Sequence, residues 1–144
     1  GNIVDRMAQN SIFSDGTTVR NVRSKEASEA TSTLMAEPSV GRVNQAAFIT
    51  PEGEATRLDS IERSKDKWNH DEVKSSRSAK DKHIFDTLVS TDRARRAGLD
   101  VGEVRLVHLN SDWRLGEPEA DLFEVTDITE MIEDPAMVDL LFKQ

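Results

Sequence analysis

The chain contains no cysteine, so it can form no disulfide, iron–sulfur cluster or thiolate-ligated zinc site. Aromatic residues make up only 5% of the sequence, so aliphatic side chains must build most of the core. No apolar run approaches the roughly 18–20 residues that a membrane helix needs, and no signal peptide is visible at the start. These absences lead us to expect a soluble cytoplasmic protein with no membrane partner.

The length of 144 residues fits one domain that can bury a sizeable core. We therefore expect residues 1–144 to form a single domain, and the chain is compatible with a fragment of a longer protein. Charged residues make up 32% of the sequence and are well mixed, which favours a folded domain with a solvated surface over a disordered segment.

Basic residues are concentrated in the middle of the chain, although the net charge of −8 does not by itself suggest a nucleic-acid partner. Residues 57–96 carry 11 basic and 8 acidic side chains, whereas residues 1–56 carry 5 and 7, and residues 97–144 carry 3 and 12. Most charge runs of this kind are ordinary solvated surface. This basic segment matters because the candidate site lies inside it.

Hydrophobic periodicity and turn residues predict the element order ααβββαββα. Helices are predicted over residues 2–13, 24–36 and 80–97, the third ending at Gly98. A last helix is predicted over residues 128–144, capped by Asp127 and interrupted at Pro135. Strands are predicted over residues 43–49, 55–63, 67–76, 101–110 and 122–127. This order favours an α/β or α+β domain with a central mixed sheet flanked by helices.

Residues 55–76 have the pattern of an antiparallel hairpin closed through Lys65 and Asp66. In that register residue 64 opposes residue 67, so Asp59 opposes Glu72, with Cβ atoms about 4.5–5.5 Å apart. Two carboxylates at that distance repel each other, and a divalent cation such as Mg²⁺, which prefers carboxylate oxygens, would offset the repulsion. Strand alternation predicts that Lys74 shares the face of Glu72.

These three residue types suit the hydrolysis of a phosphodiester bond, which needs an activated water and charge relief on the phosphoryl oxygens. A cation held by Asp59 and Glu72 can supply both. Lys74 can orient or deprotonate the water, or stabilise the transition state as a point charge. Spacing alone favours a plain surface ion cluster, because a Glu-x-Lys triplet is very common.

A resemblance to a known family changes that balance. The stretch EVKSSRSAKDKHIFD (72–86), followed by RAGLDVGEVRLVHLNSDW (96–113), is similar to the RecB-like branch of the PD-(D/E)xK nucleases. In this resemblance RLDSIER (57–63) supplies the Asp, EVKSS (72–76) the Glu and Lys, and VRLVHLN (104–110) the later strand. The opening GNIVDRMAQNSIFSDG resembles the early helix of uncharacterised bacterial proteins that carry such a domain in a longer chain. The likeness covers nearly all 144 residues.

The resemblance implies a restriction-endonuclease-like fold and Mg²⁺- or Mn²⁺-dependent DNA cleavage, with Asp59, Glu72 and Lys74 as the catalytic residues. Two departures reduce the match. Gln45 stands where the family usually has an acidic residue before an Ala-Ala-Phe-like strand. Its amide oxygen can still bind a metal with Asp59 and Glu72, but it brings no charge. Ser90 and Ala94 stand where RecB-like members often carry a Gln and an aromatic residue.

The segment after the Glu-x-Lys strand is the predicted DNA contact, formed by Ser75, Ser76, Arg77 and Lys80. Turn, cap and solvated-charge roles remain open for these residues. A non-catalytic nucleic-acid-binding or scaffolding relative with a weakened site is the alternative function. The sequence leaves open exonuclease against endonuclease, and single-stranded against double-stranded substrate.

Two of the three histidines lie on predicted strands. His70 is two residues from Glu72 on the same predicted face, where a ligand or proton-shuttle role is open. His108 is expected to be a satisfied core histidine.

Overall fold

A computed structural model describes residues 2–143, which form a six-stranded sheet in the order β1-β2-β3-β4-β5-β6. The β1–β2 and β4–β5 pairs are parallel and the other neighbouring pairs are antiparallel. The expectation of an α/β mixed sheet flanked by helices is therefore confirmed. The strands are β1 (Thr17–Thr18), β2 (Arg42–Ile49), β3 (Ala55–Ser64), β4 (Lys67–Val73), β5 (Val101–Leu109) and β6 (Phe123–Asp127).

Four α-helices accompany the sheet: α1 (Asn2–Asn10), α2 (Ser24–Ala36), α3 (Asp81–Arg96) and α4 (Pro135–Phe142). Helix α3 connects the parallel strands β4 and β5, as a parallel pair requires a long crossover. Gly98 follows α3 with φ of 109°, a left-handed conformation that glycine adopts without a Cβ clash, so the predicted stop is confirmed. Within residues 2–143 no helix is long and apolar enough to cross a membrane.

The two faces of the sheet carry separate hydrophobic clusters. One face packs against α2, α3 and the 3₁₀ turn Met131–Glu133, through residues that include Val43, Ile61, Leu106, Ala27, Leu88 and Ile132. The other face packs against α1 and the turn after it, where Ala8 and Phe13 meet Val73, Val107 and Phe123. Helix α1 lies on one face of the sheet and α3 on the other, so side chains of the two helices can reach the end of β4 from opposite sides.

A buried ion network extends the α1-side face of the sheet. Asp71 accepts hydrogen bonds from Arg42 Nη1 at 2.9 Å and from Arg105 Nε at 2.6 Å, and its side chain is only 3% exposed. Glu62 bridges the same two guanidinium groups. Phe13 covers the network, with its ring centroid 4.7 Å from the Arg42 guanidinium carbon. Each carboxylate is thus paired, as burial of charge requires.

Several predicted element ends are wrong. Helix α1 ends at Asn10 rather than residue 13, and β4 ends at Val73 rather than residue 76. The predicted helix over 128–144 is a 3₁₀ turn followed by α4, and Gln144 lies outside the described residues. Asp127 ends β6 and accepts from the Thr129 backbone, so it does not cap that helix. Asp134 caps α4 instead, by accepting from the backbone N–H of Ala136 at 2.8 Å.

Candidate active site

The β3–β4 hairpin has the predicted register. Ser64 opposes Lys67 and Ser60 opposes Asp71, which makes Asp59 and Glu72 the next pair along the strands. Regular pairing ends before that position, and the Asp59 side chain spans the gap by accepting the Val73 backbone N–H at 2.8 Å. The two carboxyl groups therefore lie together where the strands part.

The parting strands open into a cavity of about 350 Å³. Asp59, Glu72 and Lys74 all line it, so the structure brings the three residues predicted as catalytic into one place. Lys74 lies just beyond the end of β4, and its backbone N–H still donates to Val107 O at 2.9 Å, which fixes its position. The lining residues are Asp5, Asp59, Glu72, Val73, Lys74, Ser75, Lys82, His83 and Asp86.

Burial and the neighbouring Glu72 carboxylate raise the pKa of Asp59 to about 8, despite the opposing effect of the Val73 hydrogen bond. Both causes disfavour the charged form, the first by desolvation and the second by repulsion. At neutral pH, without a cation, Asp59 is therefore mostly protonated and can share its proton with Glu72.

Glu72 behaves in the opposite way. Burial alone would raise its pKa, but the hydrogen bond from His70 and the charge of Lys74 outweigh burial and lower it. Glu72 Oε1 lies 3.2 Å from His70 Nε2, and Glu72 Oε2 lies 3.8 Å from Lys74 Nζ. Glu72 is thus the ionised member of the pair.

Asp5 is a site residue that the sequence reasoning missed. It lies on α1 and reaches the cavity because α1 packs against Val73 and Val107. Burial raises its pKa, and the Glu72 charge adds to the rise. No local motif marks Asp5. Its place in the cavity depends on the packing of α1 against strands that are far from α1 in the sequence. Asp86 on α3 was missed for the same reason.

Gln45, predicted as a metal ligand, is not among the described residues that line the cavity. Its backbone has φ of 58°, and its carbonyl oxygen accepts from Arg57 Nε at 2.9 Å. A positive φ interrupts the regular alternation of a strand, so the register that puts residue 45 beside residue 59 does not fix the direction of its side chain. We therefore leave Gln45 out of the candidate metal site.

The residues predicted to contact DNA lie around the connection from β4 to α3. Ser75 lines the cavity, whereas Arg77 and Lys80 are exposed outside it. Ser76 has an internal role, because its hydroxyl donates to Ser78 O at 2.6 Å and its carbonyl accepts from Leu109 N. Lys82 adds a cation to the cavity wall.

Among residues 2–143, no three His, Cys, Asp or Glu side chains are grouped as a ready-made metal ligand set. The Asp59–Glu72 pair nevertheless has the chemistry for Mg²⁺ or Mn²⁺, since Mg²⁺ commonly binds one or two carboxylates and keeps several waters. The Glu72 carboxylate is near enough to raise the pKa of Asp59, and a cation bound by both residues would relieve this repulsion.

A scan against protein-family models and a search of curated proteins found no match for this chain. Its function must therefore be inferred from the cavity and from the sequence resemblance.

Proposed function

We propose that this chain is a metal-dependent nuclease that hydrolyses phosphodiester bonds of DNA. The observation that carries the proposal is the pairing of half-buried Asp59 with buried Glu72, which share one cavity with Lys74. The sequence resemblance adds a restriction-endonuclease-like fold of the RecB-like type over residues 1–144, and a cytoplasmic location fits the composition.

Asp59 and Glu72 would hold the Mg²⁺ or Mn²⁺ ion, with Asp59 giving up its proton when the ion binds. The bound ion supplies Lewis-acid activation of water and neutralises charge on the phosphoryl group. Lys74 orients the attacking water or stabilises the charge that develops on the phosphate, as an ammonium group fixed beside Glu72. Asp5, which also lines the cavity, offers a carboxyl group that can accept a hydrogen bond from water there.

The substrate phosphates would lie along the connection from β4 to α3. Ser75 and Lys82 line the cavity, and Arg77 and Lys80 add exposed cationic side chains outside it. Cationic side chains near the phosphate backbone supply affinity without reading sequence. The net charge of −8 makes these local cationic side chains important, because the rest of the chain would repel DNA.

A non-catalytic nucleic-acid-binding or scaffolding role is the second candidate. It is favoured by the absence, within residues 2–143, of a preformed three-residue ligand group, and by Gln45 standing outside the cavity lining. Under this alternative Asp59 stays protonated beside the ionised Glu72, and the cationic side chains around the connection from β4 to α3 bind nucleic acid without cutting it.

A cleavage assay separates the two candidates. Purified protein would be incubated with supercoiled plasmid and with single- and double-stranded oligonucleotides, in Mg²⁺, Mn²⁺ or EDTA. The nuclease proposal predicts cleavage with either cation, none in EDTA, and none with the Asp59→Asn protein. Binding of DNA without cleavage in every condition would support the non-catalytic alternative.

A further inference from the structure

His70 on β4 is fully buried and uses both ring nitrogens. Its Nδ1 lies 2.8 Å from Thr91 Oγ1 on α3, and its Nε2 lies 3.2 Å from Glu72 Oε1. It is not among the described residues that line the cavity, so it stands behind Glu72 rather than beside it.

One tautomer satisfies both contacts. An ionised carboxylate can only accept a hydrogen bond, so His70 Nε2 must carry the proton that it donates to Glu72. Nδ1 is then free to accept the hydroxyl proton of Thr91. The chain of contacts from Thr91 through His70 to Glu72 leaves no buried polar atom of the three unpaired.

These contacts give the two carboxylate oxygens of Glu72 different neighbours. Oε1 is held by His70, and Oε2 is the oxygen nearer Lys74 Nζ, at 3.8 Å. Thr91 belongs to α3, the helix that also supplies part of the cavity wall. Through these two contacts His70 holds the Glu72 side chain in place relative to α3.

We propose that His70 is a positioning residue that holds Glu72 so that Oε2 is presented to a cation in the cavity, with Thr91 fixing the imidazole ring. This inference rests on the proposed metal-dependent function. Carboxylate ligands in metal sites are commonly held by such outer hydrogen bonds, and losing one typically weakens metal affinity by about 10–100-fold.

Calorimetric titration with Mn²⁺ alone tests the role without reference to DNA cleavage. The informative variants are His70→Leu, which removes the donor, His70→Gln, whose amide can still donate to Glu72, and Thr91→Val, which removes the support of the ring. His108→Leu is the matched control, because His108 is also buried in the sheet and also contacts a threonine hydroxyl, that of Thr126 at 2.8 Å.

We expect His70→Leu to raise the Mn²⁺ dissociation constant by about 10–100-fold, in line with the loss of other outer hydrogen bonds. Thr91→Val should raise it by a smaller factor, and His70→Gln should restore most of the affinity. His108→Leu should lower the melting temperature but leave Mn²⁺ affinity unchanged.

Two results would overturn the inference in distinguishable ways. If the unsubstituted protein binds Mn²⁺ and both His70→Leu and Thr91→Val bind it equally well, His70 has no positioning role but the proposed function stands. If His70→Leu does not fold, the Thr91→Val titration decides the same question. An unsubstituted protein that binds no Mn²⁺ would overturn the proposed function and this inference together.

Discussion

Replacing Asp59 with Asn should stabilise the metal-free protein, although it removes a residue of the candidate active site. The amide oxygen introduced at position 59 can still accept the Val73 N–H, while the repulsion between Asp59 and Glu72 disappears. The amide nitrogen can in addition donate to Glu72. We therefore expect the metal-free protein to be less stable with Asp at position 59 than with Asn.

The sign of the pH dependence follows from the raised pKa. The pKa of Asp59 rises from an ordinary value of 3.8 to about 8 in the folded protein, so folding favours its protonated form. Stability is therefore highest below the unfolded pKa and falls as pH rises from about 4 to about 8. At 1.36 kcal/mol per pKa unit this shift corresponds to a penalty of at most about 4 kcal/mol at pH 7 and at most about 6 kcal/mol above pH 8. Relaxation and entry of water lower these figures.

We expect Asp59→Asn to raise the free energy of unfolding by about 2 kcal/mol near pH 8 in EDTA, or the melting temperature by roughly 4–8 °C. The difference should shrink towards zero near pH 4, where Asp59 itself is uncharged in the folded state. Urea denaturation at several pH values measures it.

Glu62→Gln is the control for this experiment. Although burial opposes the shift, hydrogen bonding to Arg105 and the charge of Arg42 lower the pKa of Glu62, so losing its charge should destabilise the protein above pH 5. An Asp59→Asn protein that is less stable than the unsubstituted one at pH 8, or whose difference does not vary with pH, would refute the repulsion between Asp59 and Glu72.

Three further predictions follow from the same structure. Saturating Mg²⁺ should stabilise the unsubstituted protein, by about 2.7 kcal/mol at 100 times the dissociation constant. It should leave the melting temperature of the Asp59→Asn protein unchanged. An equal shift of the melting temperature in both proteins would locate the ion elsewhere. Lys74→Ala should lower kcat for DNA cleavage by about 10²–10³-fold, as expected for loss of one electrostatic donor, with little change in Mn²⁺ affinity. A kcat equal to that of the unsubstituted protein would show that Lys74 takes no part in the reaction. Asp71→Ala should cost about 3 kcal/mol in urea denaturation, the lower end for loss of a buried ionic partner, because Arg42 and Arg105 lose the buried carboxylate that they share and keep Glu62. A cost below about 1 kcal/mol would show that the network relaxes.

Local signals in the sequence were enough to predict the hairpin that carries the site. The compact polar turn Ser64–Lys67, closed through Lys65 and Asp66, predicted the register of the hairpin and so the pairing of Asp59 with Glu72. Gly98 marked the end of α3 because only its conformation allows the chain to reverse there without strain. The two-residue strand β1 could not be predicted, since two threonines carry no periodicity.

The rest of the site depends on contacts between distant parts of the chain. Asp5 lines the cavity only because α1 packs over β4 and β5, and no sequence pattern near residue 5 predicts this packing. Gln45 was predicted from the family pattern and lies next to Asp59 by register, yet its left-handed backbone, which the pattern does not reveal, interrupts the alternation of the strand. The roles of His70 and Thr91 required the position of α3 relative to β4, which sequence spacing does not give.

A crystal structure of the protein soaked in Mn²⁺ would test the central claim most directly, since the anomalous signal of manganese locates the ion. We expect one strong peak in the cavity, about 2.0–2.2 Å from an oxygen of Asp59 and from Oε2 of Glu72, the range for small divalent cations bound by carboxylates. Manganese bound only outside the cavity, or no peak at a concentration that saturates binding in solution, would contradict the assignment of this pair as the metal site of a nuclease.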